Sequence, residues 1–209
     1  MKKIRRFKIS EHTKEIARRI KKAGISLESL SIASQADLQK WTVDLLNETD
    51  PAVVYASFDK ELPSTDKLFD VSSAAVITLG TKLSDKINSL TDDELKKAAQ
   101  ICVFEFLDTA FDFVTNLIRE EAQNDNFQIL PARLLHLPEG GNYSKADTGA
   151  ARFARKSEIM TDDEKVNILP VVIEKLDISK ISVSYTDGLI APQHTLVFLV
   201  PWARKRRRK

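Results

Sequence analysis

The side chains that could do chemistry in this sequence are few and far apart. Cys102 is the one cysteine, and it falls on the apolar face of a predicted helix, where we expect an inert packed thiol. Glu105, Asp108 and Asp112 lie on the other face of that helix. Their spacing could present two carboxylates to a metal, but the helix carries no histidine, so a solvated acidic face is the preferred interpretation.

The three histidines, His12, His136 and His194, are scattered along the chain. None forms an H-x-x-x-H pair or sits beside a serine nucleophile motif. We therefore expect surface or half-buried residues. His194, just after Pro192 and close to the last predicted strand, is the strongest candidate for a base.

A glycine-rich segment offers a second kind of site. Pro138–Gly149 holds three of the six glycines and contains Gly140-Gly141-Asn142-Tyr143. Glycine permits a close backbone approach to a ligand, and Arg152, Arg155 and Lys156 follow, with arginine able to bind a carboxylate or phosphate through a bidentate fork. The segment is neither a P-loop nor a G-x-G-x-x-G fingerprint. A ligand loop and a plain solvated loop both remain open.

These residues must be positioned by a long helix, Thr91 to Glu121, and the apolar run Ala74–Gly80 before it. Thr91-Asp92-Asp93-Glu94 is a capping box with Thr91 as the predicted cap. The apolar stripe is wide enough that we expect the helix to be covered on two sides, by a sheet and by a second helix. Phe104 and Phe111 fall outside the stripe. The stripe comprises Leu95, Ala99, Cys102, Val103, Phe106, Ala110, Phe113, Val114 and Leu117.

The remaining pattern predicts an α+β fold, a bent and mainly antiparallel sheet packed with the long helix and shorter helices. We expect roughly five strands and four or five helices, and Pro170 should kink or divide the last of those helices. Asp187-Gly188 predicts a turn. The predicted segments are a weak strand over 4–9, helices within 10–24, 26–47, 84–90 and 161–176, and strands over 52–58, 74–79, 127–137 (interrupted by Pro131), 178–185 and 195–200.

Charge is unevenly distributed along the 209 residues. The net charge is +2, yet the first eight residues carry five cations and Arg204–Lys209 carries six, which leaves a body of about −9. We expect a single domain over 1–203, with a helical region at about 10–48, and a basic tail over 204–209. Such a body repels nucleic acid, so only the tail could attract it. The sequence predicts neither a signal peptide nor a membrane span, and we expect a cytoplasmic protein.

The order of four segments resembles the activation domain of cobalamin-dependent methionine synthase, in a stand-alone version. Pro51–Phe58 follows the helical region, and Ala75-Val76-Ile77-Thr78-Leu79-Gly80 is similar to that family's apolar strand before a long helix. Thr161–Leu176 stands where the family has an acidic-capped helix. Tyr185–Thr195 is similar to its Thr-Glu-Ser…Pro-x-x-Ser stretch before the last strand. The likeness covers roughly residues 50–200.

The resemblance implies an α+β domain that binds S-adenosylmethionine and presents it to a cobalamin held by a partner, a corrinoid protein or methyltransferase. It implies a ligand site of Tyr143, Arg152 and Arg155, with Thr186 and Asp187 opposite, and no catalytic or metal-binding residue of the chain itself. The family's Arg…Pro-Gly-Tyr loop is replaced here by Arg152-Phe153-Ala154-Arg155-Lys156-Ser157-Glu158. An interaction domain that kept the fold and lost the ligand therefore stays open beside the first interpretation.

Overall fold

The computed structural model describes residues 1–59, 71–138 and 157–205. The helices in these residues are α1 (Thr13–Lys22), α2 (Gln35–Asn47), α3 (Thr81–Asn88), α4 (Asp93–Asn124) and α5 (Asp162–Leu176). The strands are β1 (Lys2–Arg5), β2 (Ala52–Asp59), β3 (Val71–Thr78), β4 (Phe127–Ile129), β5 (Ala132–His136), β6 (Ser157–Ile159), β7 (Ser184–Thr186), β8 (Leu189–Ala191) and β9 (Thr195–Arg204). The described part thus has more strands than the sequence predicted.

A seven-stranded sheet is built around the last strand, β9. Its order is β1-β2-β3-β9-β5-β6, and β4 pairs with the end of β9 beside β5. The pairs are antiparallel apart from β5 with β6, which is parallel. Pro131 separates β4 from β5, as the sequence predicted, because proline has no N–H to give to the ladder. Leu130 N–H instead donates to the Pro201 carbonyl at 2.9 Å.

Both faces of the sheet are buried, and the strand period of two residues assigns alternate side chains to the two cores. On β3, Ala75 and Ile77 face the helix α4, while Ala74 and Val76 face α5. On β9, Phe198 packs against Phe111 of α4 with ring centroids 4.7 Å apart. The prediction of a buried strand before Gly80 is confirmed.

The helix α4 lies between the sheet and a layer formed by α1, α2 and α3. It is therefore covered on two sides, as predicted, and the burial extends beyond the predicted stripe to Phe104 and Phe111. The predicted cap is wrong by one residue. Asp92, not Thr91, is the N-cap, and its Oδ1 accepts from Leu95 N–H at 2.8 Å.

Two of three boundaries in the N-terminal region differ from the prediction. The first strand is Lys2–Arg5 rather than 4–9, since Arg6 adopts a left-handed φ of 55° that ends it. The first helix ends as predicted, with Lys22 and then Gly24 at φ 75°. The second helix begins at Gln35 rather than near residue 26, because the Ser34 hydroxyl caps it by accepting from Asp37 N–H.

The C-terminal third packs on the opposite face of the sheet. Pro170 lies inside α5 and does not divide it. The strand predicted over 178–185 is wrong: Ile178–Ile181 is a 3₁₀ turn flanked by left-handed Asp177 and Ser182, and only Ser184–Thr186 is a strand. Burial still alternates along this segment, since Ile181 and Val183 are buried while Ser182 and Ser184 are exposed.

The predicted α+β class is confirmed, with a long central helix and a mixed, mostly antiparallel sheet. In the part of the chain that the structure describes, none of the helices combines the length and apolar character that a bilayer crossing requires.

Candidate functional site

The predicted ligand residues divide into two groups. Tyr143, Arg152 and Arg155 lie outside the described residues. Thr186 and Asp187 lie together at the tip of the β7–β8 hairpin, and both are exposed. A hydroxyl and a carboxylate are thus presented to solvent side by side.

The hairpin geometry explains why this tip is sharp. Thr186 pairs with Leu189 across a two-residue turn, with Asp187 at φ 52° and Gly188 at φ 82°. Positive φ at both central positions is the signature of the type I′ turn, which aspartate and glycine favour. The predicted turn is confirmed, and its first residue is one of the two candidate ligand residues that the structure describes.

Glu105 is not on a solvated acidic face, contrary to the sequence prediction. Its side chain is fully buried and Asp108 is almost so, while Asp112 is half-buried. His12 Nδ1 lies 2.9 Å from Glu105 Oε1, and Arg19 Nη2 makes an ion contact of 2.9 Å with Oε2. The carboxylate can be buried because the Arg19 guanidinium of α1 neutralises it and the His12 ring forms a hydrogen bond with it.

The same arginine continues the ion network outward. Arg19 Nε donates to Glu15 Oε1 at 3.0 Å, and Arg18 donates to both Glu15 oxygens. The hydrogen bonds from Arg18 and Arg19 lower the pKa of Glu15 from 4.5 to about 2, against the opposing effect of partial burial. Among the residues described, no group of three histidines, cysteines or acids is arranged to hold a metal ion. The Glu105 carboxylate ties α1 to α4 through Arg19.

Cys102 is buried, and desolvation raises the pKa of its thiol well above the usual range. A thiol of this kind is a poor nucleophile, because the thiolate is the reactive form. The prediction of inert packing is confirmed.

His194 differs from the prediction of a surface or half-buried residue, since its side chain is fully buried. Its Nδ1 lies 3.0 Å from Ser84 Oγ on α3, and its Nε2 has no hydrogen-bond partner in the described structure. Burial lowers the pKa of His194 from 6.5 to about 4, so the imidazole is neutral at pH 7. Ser84 is 8% exposed, so both members of this pair are buried.

A cleft of about 630 Å³ lies in the described part of the chain. Three separate parts of the chain form it: the segment after β1, the turn between α2 and β2, and the start of α3, with the 3₁₀ turn and Pro192 closing one end. We call it the basic cleft, because its lining contains four cationic side chains, Arg5, Arg6, Lys8 and Lys82, and one carboxylate, Asp50.

Local geometry fixes the walls of the basic cleft. Gly80, at φ 85°, is the residue before α3, and a Cβ there would lie 3.2 Å from Asp50 Cβ, so the turn between α2 and β2 packs directly on it. Arg6 N–H donates to the Pro51 carbonyl at 2.8 Å, and Arg5 Nη2 donates to the Lys180 carbonyl at 2.6 Å. These hydrogen bonds hold the Arg6 backbone and the Arg5 side chain in place.

Sequence reasoning assigned Arg5, Arg6 and Lys8 to a basic terminus and gave no role to Gly80 or Lys82. β1 pairs with β2, and this pairing folds that terminus onto the body. The sequence of this segment shows only a weak strand pattern. The available signal was Gly80 at the end of a buried strand and directly before a helix, a position where a backbone anion site forms.

No protein-family model matches the sequence, and a search of curated proteins finds no significant match.

Proposed function

We propose that this chain is an accessory protein of corrinoid methyl-transfer metabolism, similar to the activation domain of methionine synthase. It binds S-adenosylmethionine or docks on a corrinoid protein, and so supports reductive remethylation of cobalamin. The observation that supports the proposal most is the pairing of β3 with β9 over eight residue pairs, from Val71–Trp202 to Thr78–Thr195. The apolar strand that carries part of the resemblance thus pairs with the last strand, which follows directly on the similar Tyr185–Thr195 stretch.

Each proposed ligand residue has a role that its chemistry suits. The Asp187 carboxylate would pair with the ligand's ammonium group, and the Thr186 hydroxyl would hydrogen-bond a polar group beside it. Arg152 and Arg155 would take the ligand's carboxylate, and Tyr143 would cover its apolar part. The methyl transfer belongs to S-adenosylmethionine and cobalamin, and the protein supplies binding and orientation.

Calorimetric titration with S-adenosylmethionine, with cobalamin and with a corrinoid protein tests the proposal. We expect heat with at least one of them, and weaker S-adenosylmethionine binding by Asp187→Asn. Asparagine keeps the left-handed turn, so this variant loses charge without losing the hairpin. Asp125→Asn, an exposed aspartate at the end of α4, is the matched control. Absence of heat with all three titrants would reject the proposal.

The alternative is an interaction domain that retains the fold without the ligand. The observation in its favour is the replacement of the family's Arg…Pro-Gly-Tyr loop by residues 152–158. This function predicts binding to a corrinoid protein or methyltransferase that is unaffected by S-adenosylmethionine and by Asp187→Asn. Binding that requires S-adenosylmethionine would exclude it.

A further inference from the structure

We infer that the basic cleft is a binding site for a phosphorylated small molecule of nucleotide size, separate from the S-adenosylmethionine site proposed above. Four cations against one carboxylate give the lining a net charge of +3. This charge stands out because the body of the protein, apart from its two termini, is acidic. A concentrated positive charge in a concavity raises the local concentration of anions.

The start of α3 supplies the second part of the argument. Gly80, Thr81 and Lys82 line the cleft, and no side chain caps the helix N-terminus. The first N–H groups of a helix have no partner within it, and they carry partial positive charge. The cleft is lined by Thr81 and Lys82, the first residues of α3, together with Lys8 and Arg6. A phosphate there would receive backbone and side-chain hydrogen bonds together.

The single carboxylate does not cancel this arrangement. Arg6 Nε lies 3.7 Å from Asp50 Oδ1, and both side chains are mostly exposed. An exposed pair at this distance is weak, so Arg6 can turn toward a phosphate at little cost. The Asp50 carboxylate then remains as an acceptor for a hydroxyl or amine of the ligand.

The size and lining of the cleft select the ligand class. About 630 Å³ lies within the usual range for small-molecule pockets. Apolar residues share the lining with the cations, among them Phe7, Ile9, Leu46 and Pro51. A compound with a phosphate at one end and an apolar ring system at the other matches this lining, whereas an extended nucleic acid would meet the acidic body beyond the cleft.

Titration of the full chain with pyrophosphate, ADP and adenosine tests the inference. We expect pyrophosphate and ADP to bind and adenosine to bind far more weakly. ADP tighter than pyrophosphate supports the inference, and equal affinity would overturn the nucleotide size, since only the phosphates would then be bound. No saturable binding of either phosphate compound, or binding of RNA oligonucleotides only, would overturn it.

Two variants locate the binding. The double variant Lys8→Gln/Lys82→Gln should weaken ADP or pyrophosphate binding by about tenfold or more, because it removes two charge-assisted contacts. Lys86→Gln, an exposed lysine in the last turn of the same helix and outside the cleft, should leave affinity unchanged. Equal affinities in all three proteins would place the binding elsewhere, for example on the basic C-terminus. S-adenosylmethionine carries no phosphate, so its titration tests the proposed function and does not test this inference.

Discussion

At the residue scale, Glu105 shows how a buried charge organises the helical layer. It is fully buried between Arg19 and His12. Arg19 is only 6% exposed. A carboxylate in such a place is stable only while its buried cation and its hydrogen bond remain, and the Arg19 guanidinium depends equally on it. The three side chains therefore act as one unit.

Glu105→Gln should destabilise the protein by about 3 kcal/mol, because it leaves the buried Arg19 guanidinium with Glu15 alone. Urea unfolding at pH 7 measures this loss. Glu120→Gln, an exposed acid on the same helix, is the control and should change stability by less than about 0.5 kcal/mol. Similar midpoints for the two variants would contradict the assignment of Glu105 as a buried ion partner.

His194 predicts a pH dependence at the same scale. Its pKa is about 4 in the folded protein against 6.5 for the free side chain. Between these two pH values the unfolded chain binds a proton at this residue and the folded protein does not. Stability is therefore complete above pH 6.5 and falls as the pH drops toward 4. Between pH 7.5 and pH 5 this one group costs about 2 kcal/mol.

The variant His194→Gln keeps a polar partner for Ser84 but cannot titrate. We expect its unfolding free energy to fall between pH 7.5 and pH 5 by about 2 kcal/mol less than that of the wild type. Between pH 7.5 and pH 8.5 the two proteins should show parallel behaviour. Urea unfolding at each pH measures the difference, and identical losses on acidification would mean that the imidazole is hydrated.

At the element scale, the start of α4 offers a test between adjacent residues. The capping box favoured Thr91, whereas the structure gives the role to Asp92. Asp92→Ala should therefore cost about 1 kcal/mol, since it removes the acceptor for Leu95 N–H and a negative charge at the helix N-terminus. Thr91→Ala should cost only a few tenths. If Thr91→Ala cost more stability than Asp92→Ala in thermal or urea unfolding, the sequence prediction of Thr91 as the cap would be correct.

Elements with a strong local pattern were predictable from sequence, and those defined by distant partners were not. The α4 helix, the β3 strand and the Asp187-Gly188 turn have periodicity or turn residues of their own. The 3₁₀ turn at Ile178–Ile181 depends on left-handed Asp177 and Ser182, which carry no glycine signal. Sequence alone assigns acids to solvent by default, so the burial of Glu105, paired with a histidine 93 positions away, could not be seen.

The candidate sites divide in the same way. The Asp187-Gly188 turn was predictable because it is local, whereas Thr186 and Asp187 are ligand candidates only through the resemblance. The basic cleft was missed because it forms only when β1 pairs with β2 and the 49–52 turn packs on Gly80. A site assembled from three separate segments leaves no spacing pattern in a single sequence.

At the scale of the whole molecule, the sheet is shared by two cores. Strands β2, β3 and β9 contribute alternate side chains to the core around α4 and to the core around α5. The ion network of Glu105 joins the N-terminal helices to α4. Loss of the sheet would expose both cores at once, so we expect a single cooperative unfolding unit that includes the helical region near the N-terminus.

The two tryptophans are placed to test this cooperativity, since Trp41 lies on α2 and Trp202 on β9. Trp202 Nε1 donates to Ser73 Oγ at 3.0 Å, so Trp202→Phe should lower stability. The two unfolding probes are therefore compared within each variant and not between variants. In Trp41→Phe the fluorescence reports the sheet, and in Trp202→Phe it reports the helical layer. Within each variant the fluorescence and far-ultraviolet circular dichroism midpoints in urea should coincide. A lower fluorescence midpoint confined to Trp202→Phe would mean that the N-terminal helices unfold first, as a unit separate from the sheet.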